Sequence, residues 1–153
     1  MAKQKIVFTN GCFDILHVGH IRYLEEASFL GDTLIVGLNS DRSFRKVKGR
    51  DPIIPQDQRA EMLEALWSVD EVILFDEPTP IELIKEIRPD LLVKGADHDP
   101  KTVIGQEYAK KTIVLDVASG VHTSKIIERI HRQKLEDSCP GIGCGHGLRD
   151  SQI

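Results

Sequence analysis

Apolar residues in this chain fall into short unbroken runs, separated by stretches where they recur every three or four positions. The runs at residues 5–9 (KIVFT), 33–38 (TLIVGL), 71–75 (EVILF), 90–94 (DLLVK) and 112–116 (TIVLD) predict five buried strands. Asn10-Gly11 stops the first of them. Val18, Ile21, Leu24, Ala27 and Leu30 predict a helix over 18–30, which Gly31-Asp32 ends. A second helix is expected over 56–67, after Pro55, with Met62, Leu63 and Leu66 on one face. A third spans 80–88, where Thr79 can cap, Pro80 suits the first helical position and Glu82 completes a capping box. Residues 101–110 form a weaker helical pattern and 123–134 a strong one. Strand–helix alternation at this spacing implies parallel strands joined by right-handed crossovers, a doubly wound, three-layer α/β fold. Ligands in such folds sit beyond the carboxyl ends of the strands, so the loops after 5–9, 33–38, 90–94 and 112–116 should converge.

The pattern lapses after Leu135. Residues 137–153 hold four of the twelve glycines and little to bury, so 1–135 is expected as one domain and 136–153 as a disordered tail. A chain of 153 residues suits a single α/β domain. Its net charge of -4 argues against a dedicated nucleic-acid binder, yet leaves room for a phosphorylated substrate at a local basic cluster. The three cysteines, Cys12, Cys139 and Cys144, form no even disulfide framework and suit a reducing cytosol. The start of the chain leads directly into a short strand, and no apolar run reaches the roughly 18 residues that span a bilayer. A cytoplasmic protein without a signal peptide or membrane partner is expected.

The segment Thr9-Asn10-Gly11-Cys12-Phe13-Asp14-Ile15-Leu16-His17-Val18-Gly19-His20 carries the strongest chemical signal. It leaves the first strand, turns at Gly11 and enters a helix near Val18, where free backbone amides favour an anion. His17 and His20, three apart, can put both imidazoles beside that anion, and Gly19 lets a phosphate approach the backbone. Such a pair can donate hydrogen bonds to phosphate oxygens as charge builds in a transition state. The other readings are a metal-binding pair, which lacks an acidic or cysteine partner at ligand spacing, and two surface residues. Cys139, Cys144 and His146 could supply three soft ligands in the tail but have no fourth nearby, so no metal site is expected.

The segment GCFDILHVGH resembles the HxGH signature of the cytidylyltransferase-like nucleotidyltransferases, a Rossmann-like superfamily. That resemblance assigns His17 and His20 to stabilising the nucleotide's phosphates during attack on the α-phosphorus. It also draws Asn10, Gly11, Cys12, Phe13 and Gly19 into nucleotide and phosphate binding. The segment His122-Thr123-Ser124-Lys125 resembles the superfamily's C-terminal hydroxyl motif. There Thr123, Ser124 and free helix amides would hold the outer phosphates; alone, the same residues read as an ordinary N-cap. Arg42, Arg45, Lys46, Lys48 and Arg50 put five positive charges into nine residues. A solvated face is the ordinary reading of such a run. The resemblance implies a lysine here on the transferring phosphate, with Lys48 the first choice and Lys46 the second. It implies a phosphate-facing role for Arg59, where a surface ion pair is the alternative. Lys94, Gly95 and Asp97 lie in a loop that can also be read as a plain polar turn; the resemblance makes it line the site, with Lys94 and Gly95 in nucleotide and phosphate binding. Asp97 and Asp14 would face hydroxyls of the acceptor.

A closer resemblance covers nearly all of residues 5–133. TNGCFDILHVGH, GLNSDRS, TPIELI, RPDLLVKGADH and TSKIIERI are similar to the adenylyltransferase domain that makes ADP-heptose. His122 and His98 depart from that pattern. The implied reaction joins ATP to D-glycero-D-manno-heptose 1-phosphate and releases pyrophosphate, with Mg²⁺ accompanying the triphosphate. The alternatives are a cytidylyltransferase for glycerol 3-phosphate or phosphoethanolamine, and an FMN adenylyltransferase. A regulatory nucleotide binder that has lost catalysis is disfavoured by the intact motifs. A dinucleotide oxidoreductase is disfavoured because no GxGxxG follows the first strand. The partners implied are a nucleoside triphosphate, a small phosphorylated acceptor and, since the superfamily often forms dimers, a second copy of the chain.

Overall fold

A computed structural model describes residues 3–117 and 120–137. The chain divides into two units, Met1–Thr123 and Ser124–Ile153. In order along the sequence come β1 (Ile6–Gly11), α1 (Val18–Ser28), β2 (Thr33–Asn39), α2 (Asp41–Lys48) and α3 (Gln56–Glu64). After these follow β3 (Glu71–Phe75), α4 (Ile81–Ile87), β4 (Leu91–Gly95), β5 (Lys111–Leu115) and α5 (Thr123–Asp137). All five strands lie parallel in one sheet, ordered β3-β2-β1-β4-β5. This is the doubly wound Rossmann-like arrangement expected.

Period-two alternation along the strands explains the layering. Val7, Leu34, Val36, Leu38, Leu91 and Val93 join Leu24 and Ala27 of α1 and Leu63 of α3 in one buried cluster. Their sequence neighbours Phe8, Ile35 and Leu92 join Ile84 of α4 and Val103 in another. Both faces of the sheet are covered, which is why these strands read as continuous apolar runs.

Aspartates set the amino-terminal rim. Asp32, just before β2, accepts from the Lys5 amide at 2.7 Å. Asp70, just before β3, accepts from Leu34 at 2.7 Å, and Asp90, just before β4, accepts from Ile6 at 2.9 Å. Each carboxylate therefore satisfies an amide at the start of a neighbouring strand and fixes the register there. The chain leaves β1 toward β2 and β3 on one side, then returns through α4 to β4 on the other. The order reverses between β1 and β4, so the crevice at their carboxyl ends is the switch point of the sheet.

The structure departs from the sequence pattern in three places. Residues 41–48 form α2, an element the basic run concealed. Ser40 caps it by accepting from the Ser43 amide at 3.1 Å, and Gly49 ends it at φ 69. Residues 101–110 make only a single 3₁₀ turn, Gln106–Tyr108, because Gly105 at φ 86 interrupts any continuous helix. At α4, Pro80 takes the cap position and no side chain caps the helix, so the capping box expected from Thr79 and Glu82 does not form. Helix α5 runs on to Asp137, so the first two residues of the expected tail are helical, and the rest of it, including Cys139, Cys144 and His146, lies outside the described residues. No helix among the described residues is long and apolar enough to cross a membrane.

Candidate active site

The HxGH spacing has a direct structural meaning: it is a helix cap. His17 is the N-cap of α1, and its Nδ1 accepts from the Gly19 amide at 3.1 Å. His20, one turn on, returns its Nδ1 toward the His17 amide at 3.4 Å. The reciprocal pair is a capping box built from imidazoles rather than a hydroxyl and a carboxylate. With Nδ1 of His17 used as an acceptor, its neutral ring carries the proton on Nε2, which is left to donate. The two rings stack with centroids 3.8 Å apart and planes 21° from parallel.

Phe13 supports the stack from below. Its ring meets His20 edge-on, 5.1 Å between centroids. Its backbone is held at φ 44, a left-handed conformation uncommon for an aromatic residue. Gly11 makes room for it, since a Cβ there would come within 3.0 Å of the Phe13 ring. Burial, reinforced by the charge of His17, pulls His20 down to a pKa of about 4. His17 is lowered chiefly by burial and also by His122 nearby. At neutral pH His20 is an uncharged imidazole.

Asp14 and Arg59 work differently from the contacts expected of them. The Asp14 carboxylate is 4% exposed and accepts from the amides of Ile53 at 2.7 Å and Ile54 at 3.1 Å, and from Arg50 at 3.1 Å. In place of an open contact to acceptor hydroxyls, it ties the 50–54 loop to the end of β1. Arg59 is fully buried, and its guanidinium donates to Ile54 O, Cys12 O, Asn39 O and Asp41 Oδ1 at 2.6–2.9 Å. Neither a surface ion pair nor an exposed phosphate contact describes it. It is a strut joining the loops after β1 and β2. The Phe44 ring of α2 has Arg50 on it at 5.1 Å and Arg59 at 5.7 Å. Sequence reading did not single out Phe44, Asp41 or Arg50 for this network, although Ser40-Asp41 carried the signature of a helix start.

Among the basic residues, Lys48 lies close enough to the Cys12 thiol to pull against the rise that burial imposes on it. Lys46 instead donates to the Asp76 carbonyl at 3.3 Å. Lys94, at the end of β4, is buried and donates to the Asn10 carboxamide at the end of β1. Gly95 follows it, and Asp97 beyond is largely exposed and paired with His98 at 2.9 Å. Gly19 is buried in the first turn of α1, with its amide already given to His17. The first unit thus gathers Asn10, Gly11, Cys12, Phe13, His17, His20 and Lys94 at the switch point. Thr123 begins α5 and ends this unit, while Ser124 opens the other.

Comparison with known proteins bears on the family and the fold. A family model described as cytidylyltransferase-like matches residues 8–129. The Bifunctional protein HldE of Campylobacter jejuni subsp. doylei is 56% identical over 132 residues, 86% of this chain and 29% of that protein. The protein of the same name from Helicobacter pylori strain Shi470 is 56% identical over 131 residues, 85% of this chain and 28% of that one. This chain therefore spans less than a third of the length of these relatives. A solved lipopolysaccharide core biosynthesis protein from Thermoplasma volcanium superposes with a TM-score of 0.65 at 30% identity, covering 74% of this chain and 98% of that one. Thermotoga maritima TmcAL bound with alpha-thio ATP shares the fold at a TM-score of 0.59 and 13% identity, over 87% of this chain and 51% of that one.

Proposed function

The chain belongs to the cytidylyltransferase-like family, and from that premise we propose that it is an adenylyltransferase making ADP-heptose. In this reading a phosphate oxygen of D-glycero-D-manno-heptose 1-phosphate attacks the α-phosphorus of ATP. The bond from that phosphorus to the β-phosphate oxygen breaks, and pyrophosphate leaves with the bonding electrons. No protein nucleophile takes part, so the rate comes from positioning and from charge stabilisation.

The observation that carries the reading is the stacked His17–His20 pair capping α1, with His17 Nε2–H left to donate. His17 and His20 donate to phosphate oxygens as negative charge accumulates, beside the partial positive charge of the helix start. Lys48, with Lys46 behind it, offsets charge on the transferring and departing phosphates. Thr123 and Ser124 hold the outer phosphates, and Gly95 and Asp97 contact the nucleoside or the acceptor. Asp14 and Arg59 act as positioning residues that keep the β1 loop against α2 and the 50–54 loop. Among the described residues no three His, Cys, Asp or Glu side chains are grouped to hold a metal ion. Mg²⁺ accompanying the triphosphate would neutralise charge on its oxygens.

The acceptor rests on the segmental resemblance to ADP-heptose adenylyltransferases and on the relative named for lipopolysaccharide core biosynthesis. A coupled pyrophosphate assay tests it, with heptose 1-phosphate offered alongside ATP, CTP, GTP and UTP in turn. Release with ATP and heptose 1-phosphate, absent with CTP or with glycerol 3-phosphate, is the expected outcome. Faster turnover of CTP with glycerol 3-phosphate or phosphoethanolamine, or of ATP with FMN, would replace this reading.

A further inference from the structure

Three charged side chains are buried among the described residues: Asp14, Arg59 and Lys94. Asp14 and Arg59 have charged partners at 3.1 and 2.7 Å. Lys94 has none. Its ammonium, 8% exposed, donates to the neutral Asn10 carboxamide, and no carboxylate among the described residues lies within ion-pair distance. One acceptor leaves two of its three N–H donors to be satisfied. An unpaired buried cation is costly, and proteins avoid it unless an anion arrives to complete it.

The location narrows what that anion is. Lys94 and Asn10 face each other across the ends of β4 and β1, at the floor of the crevice where the strand order reverses. The triphosphate already has the histidine pair, the α1 start and the cations of α2. An in-line attack requires the acceptor to approach the α-phosphorus from the side opposite the departing pyrophosphate. The acceptor's phosphate then brings further negative charge against an anionic nucleotide, and Lys94 is the buried cation left to receive it. We propose that Lys94 is the seat of the acceptor's phosphate group, selecting phosphomonoesters over acceptors that present only a neutral hydroxyl. This rests on the adenylyltransferase reading above and deepens it.

Burial holds the Lys94 ammonium down to a pKa of about 8, with Asp97 and the Cys12 thiol the titratable groups acting on it, both in the opposite sense. A phosphate dianion at Nζ restores the ordinary value, so acceptor binding at pH 8.5 takes up a substantial fraction of a proton. The test is calorimetry on the full chain at pH 8.5 in two buffers of different ionisation enthalpy, using heptose 1-phosphate, glycerol 3-phosphate and ATP as separate ligands. Lys94→Met and Lys94→Gln are compared with the unaltered chain. Both variants should lose the proton uptake and bind the phosphomonoester about 10–100-fold more weakly. Steady-state assays should put the effect on KM for the acceptor, with KM for ATP within about threefold. Because a neutral side chain removes an unpaired buried charge, neither variant should unfold more easily. Undiminished uptake in the variants, loss of ATP affinity with acceptor affinity intact, or failure of both to fold would each overturn the proposal. If heptose 1-phosphate does not bind while glycerol 3-phosphate binds with Lys94-dependent uptake, the acceptor identity falls and the role of Lys94 stands.

Discussion

Arg59 reaches from α3 to the carbonyl oxygen of Cys12 at 2.6 Å, joining residues 47 apart in sequence. The same guanidinium holds Asn39 O at the end of β2 and Asp41 at the start of α2. One buried side chain thus sets the distance between the loop that carries the histidines and the helix that carries the lysines.

Arg59→Met should therefore destabilise the protein by about 3–5 kcal/mol, since it strands a carboxylate and three carbonyl oxygens. Arg59→Lys should recover only part of this, because an ammonium cannot reproduce the planar fork. Urea unfolding measures both. Stability within about 1 kcal/mol of the unaltered chain in Arg59→Met would remove the strut from the account.

His17 does two jobs that substitution can separate. His17→Ala loses the cap and the Nε2 donor, whereas His17→Asn keeps a capping oxygen near the Nδ1 position. Turnover should fall about 10²–10³-fold in both and in His20→Ala. The thermal midpoint should drop in His17→Ala and hold in His17→Asn. Near-normal pyrophosphate release in the asparagine variant would assign the imidazole to capping alone.

Acid should loosen the fold through the same pair. His17 and His20 titrate lower in the folded chain than in the unfolded one, His20 near 4. Between that value and the ordinary value near 6.5 the unfolded chain binds more protons, so stability declines as pH falls through that window. Denaturant midpoints from pH 7 to 4 should show the decline, and His20→Gln should flatten it. An identical slope in His20→Gln would locate the acid sensitivity elsewhere.

The two candidate lysines should part company. Lys48→Ala is expected to lower kcat by about tenfold or more, and Lys46→Ala, whose ammonium is on the Asp76 carbonyl, by much less. A slow Lys46→Ala with an unaffected Lys48→Ala would reverse their roles.

Gly11→Ala offers a steric test. The added methyl comes within 3.0 Å of the Phe13 ring that backs His20. Turnover should fall more than stability, which should drop by about 1–3 kcal/mol. Ile84→Ala, in the buried cluster on the other face of the sheet, should do the opposite, costing about 2–5 kcal/mol while kcat at permissive temperature is retained. Equal effects on both quantities in both variants would dissolve the distinction between site and core.

The sheet was legible because its strands are buried on both faces and therefore stand out as apolar runs. The HxGH segment was legible because it lies where a first strand must hand over to a helix. Helix α2 was hidden because it buries little beyond Ser43 and Phe44, so its charges masked the period, although Ser40 and Gly49 marked both ends. The roles of Asp14 and Arg59 could not be read from order along the chain. Most of their partners are backbone groups, several of them tens of residues away, and a backbone amide or carbonyl leaves no trace in residue identity. The partner of Lys94 was equally hidden, because nothing in Val-Lys-Gly says which strand lies alongside.

The aspartate rim has a consequence for how this architecture can change. Asp32, Asp70 and Asp90 lock the strands at the end of the sheet remote from the histidines. Alignment of the strands therefore does not depend on the loops that meet the reactants. Those loops can be lengthened, shortened or exchanged with the scaffold held from its opposite margin, which lets one framework be refitted to new cargo.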